Sequence, residues 1–169
     1  IGTGAFKSCS KLTSFPIPEN LNSTCDDSFV LMTSLTSFVV PETNKFYKAK
    51  DGVLFNFAGN ELIQYPLGKT ETEYSIAETV TKIAKNAFKY SKLQSIQIPN
   101  SVTEILSYAF AECTELTQIT LPENLLTISD YLLFDCTSLK TLKLSSKLEI
   151  IGKSSFSMCK SLTSLELPG

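Results

Sequence analysis

The sequence predicts an α/β fold: a right-handed solenoid of 23-residue coils, each pairing a short parallel strand with a brief helical turn, interrupted once by a β-hairpin insertion. Three observations predict it. First, a pattern of Phe, Cys, Leu, Ile, Leu and Pro runs through Phe110, Cys113, Leu116, Ile119, Leu121 and Pro122. It returns 23 residues later at Leu133, Cys136, Leu139, Leu142 and Leu144, and again at Phe156, Cys159, Leu162, Leu165, Leu167 and Pro168. It also occupies Phe6, Cys9, Leu12, Phe15, Ile17 and Pro18, then Phe29, Met32, Leu35, Phe38, Val40 and Pro41, with a copy one residue shorter from Phe88 to Pro99. Second, the end of each unit alternates apolar and polar residues, the mark of a strand with one face inward. Third, regular units leave three residues between Pro and the next apolar position, as Pro122 to Leu125, whereas Pro41 to Val80 is 39. Self-similarity at a period in the twenties marks stacked coils, none of which can bury its apolar side alone.

The first half of a unit carries Val102, Ile105, Ala109 and Phe110, which repeat as Val80, Ile83, Ala87 and Phe88, as Leu125, Ile128, Leu132 and Leu133, and as Leu148, Ile151, Ser155 and Phe156. The Ala-Phe-x-x-Cys portion is long enough for one or two helical turns. The Leu-x-x-Ile-x-Leu portion forms the strand, and the following Pro, which lacks an N–H, ends the ladder at a corner. Seven coil strands are expected, near 12 to 17, 35 to 40, 71 to 76, 93 to 98, 116 to 121, 139 to 144 and 162 to 167, stacked in parallel. Within the insertion, Phe46 to Lys50 and Val53 to Asn56 flank Asp51-Gly52, a pair that favours the tight turn of a hairpin. Glu61 to Pro66 supplies a third strand, and the solenoid resumes at Tyr74-Ser75-Ile76. The chain is thus one domain over 1–169, with first repeats over 1–41, hairpin insertion and re-entry strand over 42–77 and regular repeats over 78–169. It opens at Ile1 inside a unit and stops where a unit ends, and is read as a piece of a longer protein.

Composition narrows the chemistry. The 15 Lys and 17 acids give a net charge of −2 and form no like-charge run, so nucleic acid is not an expected partner. No apolar stretch approaches the roughly 20 residues that span a bilayer, so this segment is not expected to insert in a membrane. Arg, His and Trp are absent, which removes the usual bidentate reader of phosphate and the commonest general base and metal ligand. No catalytic residues, metal site or cofactor are assigned.

Of the five cysteines, Cys9, Cys113, Cys136 and Cys159 share one repeat position that also accepts Met32 and Ser91. That tolerance reads as a buried ladder of free thiols, while Cys25 lies outside it. The acids, including Asp26-Asp27, read as solvated surface. The outward strand residues are mostly hydroxyls and amides, with a basic stripe at Lys140 and Lys143. Gln94, Ser95, Gln97, Thr117, Gln118, Thr120, Lys140, Thr141 and Lys143 form the candidate partner-binding face. The bland alternative is that Thr and Ser simply suit exposed strands. A rival surface is the hairpin, with Tyr47, Phe57 or Tyr65 exposed, although most of its aromatics are expected to pack against the coils. Asn22-Ser23-Thr24 makes Asn22 a glycosylation acceptor if the chain is secreted by a eukaryote.

The unit V-x-x-I-x-x-x-A-F-x-x-C-x-x-L-x-x-I-x-L-P resembles the leucine-rich repeats of the BspA type, also called the Treponema pallidum type. The insertion resembles that family too, through Asp51-Gly52-Val53-Leu54-Phe55, Leu62-Ile63-Gln64-Tyr65-Pro66 and Gly68-Lys69. Thr24, Met32, Ser91, Leu133 and Ser145 depart from the pattern locally. The resemblance implies a leucine-rich-repeat solenoid and a non-enzymatic interaction module of a surface-exposed or secreted adhesin, binding a host cell-surface or matrix protein or glycoprotein. Alternatives are an intracellular repeat scaffold and a carbohydrate-binding or carbohydrate-active solenoid.

Overall fold

The computed structural model describes residues 1–167, the side chain of Glu166 excepted. Its strands, in chain order, are β1 (Ser14–Pro16), β2 (Ser37–Val39), β3 (Tyr47–Lys50), β4 (Val53–Asn56), β5 (Glu61–Gln64), β6 (Glu73–Ser75) and β7 (Lys82–Ile83). They continue as β8 (Ser95–Gln97), β9 (Glu104–Ile105), β10 (Gln118–Thr120), β11 (Thr127–Ile128), β12 (Thr141–Lys143), β13 (Ile150–Ile151) and β14 (Ser164–Glu166). The seven expected coil strands are all present, as β1, β2, β6, β8, β10, β12 and β14. Their central residues stay in register through the regular coils, Tyr74 against Ile96, Ile96 against Ile119, Ile119 against Leu142 and Leu142 against Leu165. Every pairing among these strands is parallel, and the fold is the repeat solenoid that the 23-residue period requires.

The side opposite the strands differs from expectation: among the described residues it contains no helix. Each coil instead makes two tight turns, such as Ala84 to Ala87, closed by Ala87 N–H to Ala84 O at 3.2 Å, and Phe88 to Ser91, closed at 2.9 Å. The third residue of each turn is left-handed, Asn86 with φ 61° and Tyr90 with φ 68°, as a type II turn demands. The same two columns recur as Gly4 and Ser8, Asp27 and Leu31, Tyr108 and Glu112, Tyr131 and Asp135, and Ser154 and Met158. A non-glycine residue in this region costs on the order of 1 kcal/mol. The cost is offset between coils. Turn N–H groups point along the stack, Phe88 N–H to Ala109 O at 2.8 Å and Tyr90 N–H to Ala111 O at 3.1 Å, where a helix would have spent them internally. The stacked rings of Tyr108 and Tyr131, 4.6 Å apart, add packing along one of these columns.

The cysteine column has its own mechanism. Cys113 Sγ donates to Phe88 O, Cys136 Sγ to Phe110 O and Cys159 Sγ to Leu133 O, each at 3.2 Å and each one coil back. Thiols therefore satisfy turn carbonyls that point into the stack. Ser91, at the same position, faces Cys113 Sγ at 3.4 Å. All five cysteines are free in the structure.

The insertion divides the core in two. Along β4, Leu54 packs with Phe15, Phe29, Met32, Leu35, Phe38 and Tyr47 in an N-terminal core. Its neighbours Val53 and Phe55 point to the other side, into the core that continues through Ile83, Phe88, Ile105, Phe110 and Ile119. Val53-Leu54-Phe55 is apolar without alternation because both faces of this strand are covered. Alternating neighbours on a strand point in opposite directions, so β4 is a partition with a core on each side.

The strand stack is consequently not continuous. β1 and β2 form a sheet of their own, and β6 begins a second sheet that runs β6-β8-β10-β12-β14. Phe38 N–H bonds to Gly52 O at 2.9 Å, and Gly68 N–H bonds to Leu35 O at 2.7 Å, so the insertion takes up the ladder that β6 would have filled. Two glycines allow this approach. A Cβ on Gly52, where φ is 78°, would stand 2.9 Å from Thr36 O, and one on Gly68 would stand 2.4 Å from the carbonyl carbon of Ser34. Laterally, β5 replaces the short strand of a regular coil, pairing with β7 in the sheet β3-β4-β5-β7-β9. Tyr65 takes the Phe position, 5.3 Å from the Phe88 ring. Most of the hairpin's aromatics pack, as expected: Tyr47, Phe55 and Tyr65 are buried, and of the three offered as exposed only Phe57 is, alongside Phe46.

Candidate functional site

The strand face of the second sheet is built by alternation. With Ile96, Ile119 and Leu142 turned into the core, the flanking residues of each strand turn outward. Register then aligns Glu73, Ser95, Gln118, Thr141 and Ser164 in one row. A second row aligns Ser75, Gln97, Thr120 and Lys143. Ser95, Gln97, Gln118, Thr120, Thr141 and Lys143 of the sequence-derived set therefore come together on one surface. A shallow cleft of about 360 Å³ runs across it between Gln118, Thr120, Thr141, Lys143 and Ser164.

The third row, just ahead of the strands, behaves differently. Thr117 Oγ1 donates to Gln94 O at 3.1 Å, one coil back, and Thr163 does the same to Lys140 O at 3.4 Å. Thr36 repeats the bond to Thr13 O at 2.8 Å. These hydroxyls tie coil to coil, so the Thr117 hydroxyl, though exposed, is already engaged in stacking. Gln94 and Lys140 are exposed and share this row. The basic stripe is also modified by the fold. Lys143 Nζ meets Glu123 Oε1 at 2.9 Å, which holds the Glu123 carboxyl below the usual carboxylate range, chiefly through that hydrogen bond. Charge on the face is thereby partly cancelled, leaving mainly hydroxyl and amide groups.

The sequence reading missed Glu73 and Ser75, which extend both rows by one strand, with Ser75 Oγ donating to Gln97 Oε1 at 3.1 Å. The signal was the match of Tyr74-Ser75-Ile76 to a coil strand, which assigns Glu73 and Ser75 outward positions. Thr13, Ser14, Pro16, Thr36, Ser37 and Val39 lie on the separate sheet of the first two coils, so the face is two patches divided by the insertion. Asn22 is exposed in the loop that precedes the second coil's turns. Asp26 is exposed, as read from the sequence, and Asp27 is half-buried; both reach across the insertion. Asp26 pairs with Lys85 at 3.1 Å and Asp27 accepts from Asn86 Nδ2. Among the described residues no group of three or more His, Cys, Asp or Glu side chains is placed to hold a metal ion.

A chain of stacked 23-residue coils with a thiol ladder, two left-handed turn columns and a polar parallel strand face defines a leucine-rich-repeat protein. Residues 1–53 and 69–169 match the BspA type leucine rich repeat region in six copies, and the chain belongs to that family. No enzyme family is indicated. The structure superposes on the pneumococcal vaccine antigen PcpA with a TM-score of 0.78 and 30% identity, covering 83% of this chain and 35% of that one. It superposes on a leucine-rich repeat protein from Eubacterium ventriosum with a TM-score of 0.76 and 25% identity, covering 92% of this chain and 55% of that one. A leucine rich cell surface protein from Faecalibacterium prausnitzii, 23% identical with a TM-score of 0.59, shares the fold over 98% of this chain and 62% of its own. The chain thus spans about a third of the length of PcpA and about half of the Eubacterium protein. No curated protein sequence matches it.

Proposed function

We propose that this chain is the protein-binding module of a surface-exposed or secreted adhesin, and that the strand face of β8, β10 and β12 is its contact surface. The observation that carries the reading is the pair of outward rows, Ser95, Gln118 and Thr141 beside Gln97 and Thr120, held in register on a rigid parallel sheet. Such a face offers hydrogen-bond donors and acceptors at fixed spacing with little net charge, which suits a protein or glycoprotein surface better than a charged polymer. Membership in the BspA-type family supports an interaction role, and likeness to a vaccine antigen supports exposure outside the cell.

Binding of the purified chain to host epithelial cells and to immobilised matrix proteins tests the reading, beside a variant carrying Gln118→Lys, Thr120→Glu and Thr141→Glu. These side chains are exposed, so the variant folds. Saturable binding by the parent that the variant loses is the expected result. Binding retained in full by the variant would remove the strand face as the contact surface, and no binding by the folded parent at micromolar concentration would remove the adhesin reading of this segment.

A further inference from the structure

The coils of β9 and β11 meet along an interface whose lateral ladder is incomplete. On this side of the solenoid each regular coil donates to the coil before it. Thr103 N–H bonds to Thr81 O at 2.9 Å and Leu106 N–H to Ile83 O at 3.0 Å. Two coils on, Glu149 N–H bonds to Leu126 O at 2.8 Å and Gly152 N–H to Ile128 O at 2.7 Å. The rungs between, Leu126 N–H to Thr103 O and Ser129 N–H to Ile105 O, are not made among the described residues. Ile105 O accepts the Ser129 hydroxyl instead. The lateral sheet accordingly ends at β9 and a separate one starts at β11. A cleft of about 490 Å³ opens there, lined by Thr103, Ile105, Leu106, Asn124, Leu126 and Thr127.

A tyrosine pair spans the same two coils. Tyr108 and Tyr131 occupy equivalent left-handed turn positions, and their rings stack 4.6 Å apart, 5° from parallel. Lys89, one coil earlier, holds Nζ 4.9 Å from the Tyr108 ring, and Lys153, one coil later, holds Nζ 5.7 Å from the Tyr131 ring. Two ammonium groups thus keep the ring pair in place. Both tyrosines are half-exposed, so a soluble oxidant reaches them and water takes up their phenolic protons. The other close tyrosine pair, Tyr65 and Tyr74 at 5.0 Å, lacks these conditions. Tyr65 is 2% exposed, and its hydroxyl is sealed from solvent without a hydrogen-bond partner, so nothing accepts its proton.

We propose that Tyr108 and Tyr131 are an oxidative cross-linking site, joined as dityrosine by hydrogen peroxide acting through a haem peroxidase, and that the new bond locks the interface where the rungs are missing. Each phenol gives up one electron and one proton, and the two phenoxyl radicals couple through ring carbons ortho to oxygen. Each joined carbon then loses its hydrogen as a proton while its own oxygen gains one, which restores both phenols. The protein loses two hydrogen atoms, and one hydrogen peroxide becomes two waters. Stacked rings must tilt edge to edge to bond, and the broad χ2 range of a half-exposed tyrosine allows that tilt. The inference uses neither the strand face nor the adhesin reading.

The experiment treats the whole chain at low micromolar concentration with a haem peroxidase and limiting hydrogen peroxide, then isolates the monomer. Digestion after glutamate places Tyr108 in 105–112 and Tyr131 in 124–149. Expected are blue dityrosine emission and a joined pair of those peptides that lacks two hydrogen atoms. Tyr108→Phe and Tyr131→Phe should each abolish the product, since phenylalanine keeps the stack but cannot couple, with an unchanged melt as the check on folding. Tyr90→Phe should leave the yield as in the parent. In the untreated chain the amides of Leu126, Thr127 and Ser129 should exchange faster than those of Leu106 and Gly152, and cross-linking should slow them on the order of tenfold. No dityrosine in the monomer, dityrosine that persists in either pair variant, or coupling only between chains would overturn the cross-linking site. Exchange at Leu126, Thr127 and Ser129 that is already slow, or unchanged by the cross-link, would overturn the lock.

Discussion

The first two coils and the five regular ones obey the same repeat but are filled differently. Where the regular stack places Ile96, Ile119 and Leu142 at its strand centres, the first two coils place Phe15 and Phe38. These rings pack with Phe6 and Phe29 at centroid distances of 4.7 to 6.1 Å, mostly edge to face. A coil in a long stack is buried by neighbours on both sides, so aliphatic columns suffice. The first two coils are met on one side by the partition strand instead of a further coil, and large aromatic side chains there bury more area per residue. The partition strand completes them by adding Tyr47 and Leu54 from the insertion. The contrast shows that a repeat array can be cut by an insertion provided that the inserted strand is apolar on both sides.

If the two cores are separate, their mutants should fail separately. Ile119→Asp places an unpaired charge among the columns of the regular stack, at a cost of about 4 kcal/mol or more, and should abolish its cooperative melt. Phe15→Ala should cost roughly 3–5 kcal/mol, but amide exchange should rise in residues 1–54 while the regular coils stay protected. Uniform exchange throughout would mean one cooperative unit.

Alkali should select the opposite half. Burial raises the Cys113 thiol from 9.0 to about 11 and pushes Cys136 and Cys159 up as well. Burial, then Glu112, likewise raises Tyr90 to about 12. The unfolded chain ionises these groups first, so between pH 9 and 11 the folded state binds more protons and stability falls as pH rises. The two sealed thiols, Cys113 and Cys136, each contribute up to roughly 1.4 kcal/mol per pH unit within their windows, and the half-buried Cys159 contributes less. Urea melts should show stability unaffected by these groups below pH 9 and declining to pH 11, with the regular coils loosening first. A flat profile would mean that the thiols are not sealed.

The junction between the halves is sensitive to a single methyl group. Gly68→Ala forces a Cβ against the Ser34 carbonyl and should cost roughly 1–3 kcal/mol, read as a lowered midpoint and faster exchange at the Gly68 N–H. An unchanged midpoint would show that the insertion does not press on the second coil. The smallest effect concerns the turns common to both halves. Met158 is exposed at φ 66°, so Met158→Gly should stabilise by about 0.5–1 kcal/mol, whereas Leu31→Gly in the second coil, where the side chain is half-buried, should gain less.

Period, strand positions and inward residues were legible in the sequence by themselves, because a solenoid contact joins a residue to its equivalent one repeat away. Counting 23 from Ile96 or Ile119 reaches the register partner. The hairpin was legible through Asp51-Gly52, and the outward rows through alternation. The turns were misread as helical because type II turns with non-glycine residues at positive φ have no strong sequence mark. Tyr108, Glu112 and Tyr131 are tolerated there only because the next coil accepts their N–H bonds. Tertiary structure alone decided the rest. Asp26 and Asp27 meet Lys85 and Asn86 across 59 residues, β4 becomes a wall between two cores, and Gln64 is brought beside the loop 22–29. None of these follows from the period, since the insertion breaks it at the point where those contacts form.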